Sequence, residues 1–357
     1  MNEREAMIRA LSLAWHGWGH VPPNPMVGAV ILRDGEIVGE GWHAEFGGLH
    51  AETAALARAG SAARGGTLVV TLEPCVHHGK QPPCVDAILH AGVSRVVYAL
   101  SDPNPAARGG AAALRQGGVT VEGGLLAGAA AQQNAAFVHR FQVTDRPWVA
   151  LKLATSVDSR VADHQGRSRW ISGEPARAWV QWLRAGFDAI LVGATTVAED
   201  DPSLTVRGPV TPRVAPVRIV LDGALSVSAE SRLVREPGPA VIVLTAPECA
   251  GSEKAAALRA AGVEVLGHQS VAAALKTLRA RGIERLLVEG GGRTASAFVE
   301  AGCVDRFYRV ESPVWLGSDG RDAFPGLASR NLGDAPRWAV LERRALGSDT
   351  LVVMEPA

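Results

Sequence analysis

Apolar and polar positions follow two alternating periods along this chain, and the switches between them outline its elements. Residues 3–17 place Met7, Ile8, Leu11 and Ala14 at helical spacing, which predicts a helix. Pro22 and Pro23 stop it. The run VGAVILRDGEIVGEGW (27–42) reads as two strands about Asp34-Gly35, a dipeptide suited to a tight hairpin turn. A helix over 51–59, a strand at 67–74 and a helix near 83–91 follow, then a strand at 95–99 and a helix around 108–116. A short strand near 119–121 and a helix through 124–137 close the first half. Such alternation predicts an α/β sheet with helices on its faces.

VTDRPWV (143–149) is polar, turn-like and interrupted by proline, so it reads as a domain boundary. A second alternation starts there, with strands expected at 148–154, 188–193, 217–221, 240–244, 263–266, 285–288 and near 304–310. Helices are expected at 174–185, 252–261, 270–281 and 293–300, and WAVLERRALGSDTLVVMEP reads as a terminal antiparallel hairpin. The halves share no repeat, which points to a fusion rather than a duplication.

Composition narrows the class. Two domains are the expectation for 357 residues, 47% of them hydrophobic and 20% charged. Lys+Arg and Asp+Glu balance at 36 each, so the chain lacks the basic excess of a general nucleic-acid binder. Aromatics are sparse at 5%, although nine are Trp, and packing accounts for them without a special role. Four cysteines are too few for a disulfide scaffold of this length. The start MNEREAMIRALSLA has no apolar signal core, and no run reaches membrane-spanning length, so the expectation is a cytoplasmic protein without a membrane partner.

The first half carries His50-Ala-Glu52 and, downstream, Pro74-Cys75 and Cys84. One imidazole and two thiolates make a natural zinc set with a fourth position left for water, whose deprotonation the ion favours. Glu52 need not ligate and is placed to carry protons between that water, a ring and a leaving amine. Glycines precede His50, prolines precede both cysteines, and helix-forming runs follow, so each ligand is expected at or just before a helix start, which favours thiolates. His43-Ala44-Glu45 has the same H-x-E form but leads into Phe-Gly-Gly instead of a helical run. His50 and Glu52 are therefore preferred, with His43 as a lining residue.

Pro23-Asn24-Pro-Met-Val-Gly28, His50-Ala-Glu52 and Pro74-Cys75…Cys84 together resemble the cytidine deaminase-like superfamily. The commonest form of that superfamily spaces its cysteines C-x-x-C, whereas eight residues separate Cys75 from Cys84. That insertion, with Ser101-Asp-Pro-Asn-Pro105, is similar to the deaminase half of the RibD family of bifunctional riboflavin-biosynthesis enzymes. The resemblance covers about residues 1–145 and implies a cytidine deaminase-like α/β/α domain. Its expected substrate is 2,5-diamino-6-(5-phosphoribosylamino)pyrimidin-4(3H)-one, a small molecule, converted to 5-amino-6-(5-phosphoribosylamino)uracil. It further implies that Asn24, His43, His77, Lys80 and Asn104 face the substrate. Asn can read ring edges, and Lys80 can attract a phosphate.

In the second half, Leu-Val-Glu289-Gly290-Gly291-Gly292-Arg293-Thr294 runs from a strand into a helix through three glycines. Such a turn can let a phosphate approach a helix start, although alone it is compatible with a plain turn and lacks the G-x-G-x-x-G form. Polar clusters at Lys152-Leu-Ala154-Thr-Ser-Val-Asp158-Ser159, at Gly166–Ser172 and at Gly193–Arg207 complete a pattern that resembles the reductase half of the same family. That resemblance covers about residues 147–357 and implies a dihydrofolate-reductase-like α/β fold using NADPH to reduce the ribosyl group to a ribityl phosphate product. It assigns Ala154, Trp170, Thr196, Asp200, Gly291, Gly292, Arg293, Thr294, Ala295, Ser296 and Ala297 to the dinucleotide. Ser168, Arg184, Leu204, Arg207 and Glu289 go to the substrate, Arg184 and Arg207 as a phosphate grip. Lys152 and Asp200 are candidates for proton transfer or positioning. The chain has Asp158-Ser159 where the family usually has Asp-Gly. The alternatives are a deaminase with a catalytically degenerate C-terminal domain, a nucleic-acid-editing deaminase, and a structural zinc module with four protein ligands. Self-association is left open by the sequence.

Overall fold

The computed structural model describes all 357 residues, and they divide into two units, Met1–Gln142 and Val143–Ala357. The strands of the first unit are β1 (Gly28–Arg33), β2 (Glu36–Trp42), β3 (Thr67–Leu72), β4 (Arg95–Leu100) and β5 (Thr120–Gly123). They form one sheet in the order β2-β1-β3-β4-β5. The β2-β1-β3 part is antiparallel and the β3-β4-β5 part parallel. Its helices are α1 (Glu3–Ala14), α2 (Ala51–Ala59), α3 (Cys84–Ala91), α4 (Gly110–Gln116), α5 (Ala127–Gln133) and α6 (Ala135–Gln142).

Local chemistry explains the boundaries. Asn2 and Glu5 form a reciprocal capping box at the start of α1, both bonds 2.9 Å long. Asp34 and Gly35 both take positive φ, 52° and 81°, as a two-residue hairpin turn requires. Along β1 the side chains alternate between two cores. Ala29 and Ile31 join Leu68, Val70, Leu56 and Ile88 on one face. Val30 and Leu32 join Met7, Leu13, Val69 and Val97 on the other.

Two expected helices end differently. The first stops at Ala14 and continues as a single 3₁₀ turn over Trp15–Gly17. The run 124–137 is two helices broken at Asn134, because the buried Asn134 side chain binds both backbone groups of Met26, at 2.8 and 2.9 Å. Asn134 thereby pins the segment leading to β1.

The placement of α2 depends on Gly41 in β2. A Cβ there would run into the backbone of Ala51 and Ala55. Helix and strand therefore meet backbone to backbone, which only glycine permits.

The second unit holds a nine-stranded sheet in the order β11-β10-β9-β8-β12-β6-β13-β16-β15. These are β6 (Trp148–Ser156), β8 (Ala189–Gly193), β9 (Val217–Leu221), β10 (Val241–Thr245), β11 (Glu264–Gly267), β12 (Arg285–Val288), β13 (Arg306–Ser312), β15 (Trp338–Leu346) and β16 (Asp349–Pro356). β7 (Arg160–Ala162) and β14 (Arg321–Asp322) pair separately. The order from β11 to β13 is parallel throughout, and β16 and β15 add the expected antiparallel hairpin. Helices α7 (Glu174–Arg184), α8 (Ala194–Asp200), α9 (Arg232–Arg235), α10 (Glu253–Ala260), α11 (Val271–Ala280) and α12 (Gly292–Glu300) cover the sheet. β8 is buried at every position, as a central parallel strand covered on both faces must be. No helix of the chain is long and apolar enough to cross a membrane.

Replacing Gly41 by Ala should lower the stability of the first unit by about 1–3 kcal/mol, the usual scale of overpacking. Urea denaturation would measure it, and the same variant should bind zinc more weakly because α2 carries His50 and Glu52.

Candidate active sites

Three segments meet in the first unit. His50 caps the N-terminus of α2 and Cys84 is the first residue of α3. Cys75 lies in an irregular stretch beyond β3, so of the three it is not at a helix start. Pro82 and Pro83 keep the chain extended there, and Pro83 caps the helix that begins one residue later. His50 Nδ1 is 3.1 Å from Cys84 Sγ and 3.6 Å from Cys75 Sγ. All three donor atoms lie within 4.8 Å of one another. One imidazole and two largely buried sulfurs so close suit a single zinc ion and leave it a position open to water. The thiols act as a pair. Cys75 is held below its ordinary value, first by the hydrogen bond from Cys84 and, after the opposing effect of burial, by His50. Such a ready thiolate is what a metal requires.

Glu52 follows in the first turn of α2 and is only 4% exposed. Burial pushes its carboxyl up to about 7, against the field of His50. A carboxyl in that range can both take and return a proton at neutral pH.

His43 is buried beside this cluster, its ring edge-on to His50 at 5.5 Å. Its Nδ1 is 2.9 Å from the Leu49 carbonyl oxygen, which can only accept, so Nδ1 carries the hydrogen. Nε2 then accepts from Asn24 Nδ2 at 3.1 Å. Burial lowers the pKa of His43, and the two residues form one neutral, oriented pair. His77 Nδ1 is buried without a hydrogen-bond partner. Lys80 is exposed and holds its ammonium 4.1 Å from the Phe46 ring centroid. Asn104 is half-buried, with Oδ1 accepting from Ala106 N–H at 3.1 Å. Sequence reasoning missed Phe46, since a cation–π partner leaves no spacing signal.

The second unit contains a cavity of about 1660 Å³. It opens where β8, β9 and β12 end, outside the carboxyl ends of parallel strands, where open α/β sheets bind ligands. Lys152, Ala154, Ser168, Trp170, Arg184, Thr196, Asp200, Leu204, Arg207 and Glu289 line it, together with Gly291, Gly292, Arg293 and Thr294. Ala295, Ser296 and Ala297 continue along α12 and do not; Ala295 and Ser296 are buried in its packing. Asp222 and Gly223 do line it, and their position immediately after β9 was the available signal.

The glycine turn is more than a plain turn. A Cβ on Gly292 would strike the Asp322 carbonyl and Pro325 Cδ, and one on Gly290 would reach Thr294 Cβ at 2.9 Å. Gly291 caps α12 and donates its N–H to Thr196 Oγ1 at 3.1 Å. A helix start reached through glycines, on a cavity of this size, fits the pyrophosphate of a dinucleotide. Asp201 and Leu204, at φ 39° and 50°, are non-glycine residues in left-handed backbone at the same rim, a strain that often marks functional loops. Ser159 is likewise left-handed, at φ 61°, where glycine would be unstrained.

Arg184, expected as a phosphate grip, lines the cavity and is also paired within the protein. Its Nε and Nη2 hold both oxygens of Glu289, at 2.6 and 2.9 Å, and Nη1 binds the Thr205 carbonyl. The guanidinium is thus already committed to a buried bidentate pair. Burial pushes Glu289 up, but Arg184 and then Lys152 outweigh it and hold the carboxylate below its ordinary value. Lys152 is pulled down by burial, against the attraction of Glu289.

Comparison with known proteins covers both units. Residues 1–100 match the family described as the cytidine and deoxycytidylate deaminase zinc-binding region. Residues 147–352 match the RibD C-terminal domain. The riboflavin biosynthesis protein RibD of Escherichia coli K12 is 41% identical, covering 98% of each chain. RibD of Mycobacterium tuberculosis H37Rv is 38% identical, covering 98% of this chain and 96% of that one. A diaminohydroxyphosphoribosylaminopyrimidine deaminase/5-amino-6-(5-phosphoribosylamino)uracil reductase from Thermotoga maritima superposes with a TM-score of 0.85 at 38% identity, over 99% of both chains. Acinetobacter baumannii RibD gives 0.84 at 34%, also over 99% of both.

Glu52→Gln should reduce deamination by about 100-fold or more while zinc content, measured by atomic absorption, stays at the parent level; near-normal turnover would remove Glu52 as proton carrier. Glu289→Gln leaves Arg184 and Lys152 buried without their anion and should destabilise the second unit by about 3–5 kcal/mol in denaturant unfolding.

Proposed function

We propose a function from one premise: the chain belongs to the RibD family of riboflavin-biosynthesis proteins. It is a bifunctional enzyme, a zinc-dependent deaminase in its N-terminal domain and an NADPH-dependent reductase in its C-terminal domain. The substrate is a small pyrimidine, 2,5-diamino-6-(5-phosphoribosylamino)pyrimidin-4(3H)-one. The single observation that carries the deaminase reading is the convergence of His50 Nδ1 with two sulfurs beside the buried carboxyl of Glu52.

In the first reaction water adds to the amidine-like ring carbon, and the amino group on that carbon leaves as ammonia. Zinc, when bound by His50, Cys75 and Cys84, supplies the Lewis acid that makes water a nucleophile at neutral pH. Glu52 takes one proton from the water and passes it to the ring nitrogen, then takes the second from the added hydroxyl and delivers it to the amine, which leaves as ammonia. The ordered Asn24–His43 pair presents polar edges to the heterocycle. The orphan His77 Nδ1 supports a direct contact, because a ligand atom would satisfy it. Lys80 attracts the phosphate, and Asn104 completes the substrate loop.

In the second reaction the ribosyl group is reduced at C1 through its open, imine-like form. NADPH would supply the hydride when bound; the turn Gly291–Thr294 would hold its pyrophosphate, and Ala154, Trp170, Thr196 and Asp200 the rest of the dinucleotide. The protein aligns the two reactants and excludes water. Lys152, which lines the cavity within the field of Glu289, is the donor of the proton that the imine nitrogen gains. Arg207 and Ser168 meet the phosphate and ribityl chain, and Leu204 packs against them. Arg184 acts mainly through Glu289. A degenerate C-terminal domain is not favoured, since the cavity and its buried charged group are intact.

The full chain should convert the phosphoribosylaminopyrimidine in two steps, the second only with NADPH, as chromatography of the products would show. Cys75→Ala should lose zinc and the first step yet still reduce added deaminated intermediate. Failure of the parent chain to reduce that intermediate would revive the deaminase-only reading.

A further inference from the structure

The stretch Glu73–Val76, which carries Cys75, is held along its length by residues 100–111. Glu73 N–H donates to the Leu100 carbonyl at 2.8 Å, and Val76 N–H donates to the Ala107 carbonyl at 3.2 Å. Between them the backbones touch, since a Cβ on Gly110 would overlap the Pro74 carbonyl. The Glu73 side chain fastens both ends of the same region. It is buried, at 7% exposure. Oε2 accepts from Asp102 N–H at 3.3 Å, and Oε1 accepts from Gly109 N–H at 3.1 Å and Ala111 N–H at 3.0 Å. One carboxylate thus meets donors on both sides of Asn104, whose own N–H is held by Asp102 Oδ1 at 2.8 Å.

We propose that Glu73 is a positioning residue for the deaminase: it clamps the 102–111 segment against the Glu73–Val76 stretch, and so sets the Cys75 sulfur toward His50 and Cys84 and Asn104 toward the pyrimidine. The clamp touches neither the ion nor the substrate; it acts through Cys75 and Asn104, and rests on their reading as ligand and substrate contact. A carboxylate suits it because all three partners are donors. Glutamine has the same shape but only one accepting oxygen. Its amide would turn a donor either toward Asp102 N–H or toward Gly109 and Ala111, leaving a buried N–H unpaired. Aspartate keeps both oxygens but is one methylene too short to span both sides.

The test uses full-length Glu73→Gln and Glu73→Asp beside the parent. The zinc dissociation constant is read by chelator competition, deaminase KM and kcat at saturating zinc, and reductase turnover in the same preparations. For Glu73→Gln, zinc affinity should fall about 10- to 100-fold, the range for groups that orient metal ligands. Deaminase KM should rise by about tenfold while kcat at saturating zinc stays within about threefold, the pattern of lost substrate positioning. Glu73→Asp should fall between, and reductase turnover should match the parent. Zinc affinity and KM within about twofold of the parent in either variant, even with a lowered melting temperature, would overturn the proposal. If Glu73→Gln does not fold its first unit, Glu73→Asp decides by the same criteria. Cys75→Ala that still binds zinc, or Asn104→Ala with unchanged KM, would sink the underlying assignments and, with them, the positioning role of Glu73.

Discussion

Helix α2 begins at the proposed metal donor His50 and carries the proposed proton carrier Glu52 in its first turn, so the deaminase site depends on how near that helix comes to the sheet. At Gly41 the strand backbone lies against the backbone of Ala51 and Ala55 with no side chain between. A spacer of one methyl group would move His50 Nδ1 away from sulfurs that now lie 3.1 and 3.6 Å from it. Metal ligation tolerates only a few tenths of an ångström, so this contact constrains the chemistry above it. The other side of the cluster is fixed independently, by Glu73 and the 102–111 segment around Cys75.

The second unit meets a different demand. A hydride transfer needs two large reactants held face to face in a dry space. Parallel strands ending together leave that space, and buried charges organise its wall. Arg184, Glu289 and Lys152 are costly to bury singly and acceptable only as a set. Arg184 and Glu289 pair directly, and the buried Lys152 lies within the field of that carboxylate.

Much of this was legible in the chain. The alternation of strands and helices, the hairpin at Asp34-Gly35 and the terminal β15–β16 hairpin rest on local periodicity and turn chemistry, which act within a few residues. The candidate ligand trio was legible because one His and two Cys beside a His-x-Glu motif are chemically distinctive. What local reasoning missed lay in contacts of high sequence separation. Asn134 breaks an expected helix because its side chain serves Met26, 108 positions away. Lys80 rests on Phe46, and Arg184 is bound by Glu289, 105 positions away.

The sequence by itself therefore determined the two-part α/β organisation and the family of reactions, and it singled out the candidate zinc donors and proton carrier, because residue type and short-range spacing encode them. Only the tertiary structure decided that Cys75 stands in extended chain rather than at a helix start, that His43 and Asn24 orient each other, and that Arg184 answers to Glu289. It also set which residues of the glycine turn reach the cavity. Each of these outcomes is a competition among partners for one hydrogen bond or one charge, and the competitors are brought within reach only when the sheet is assembled.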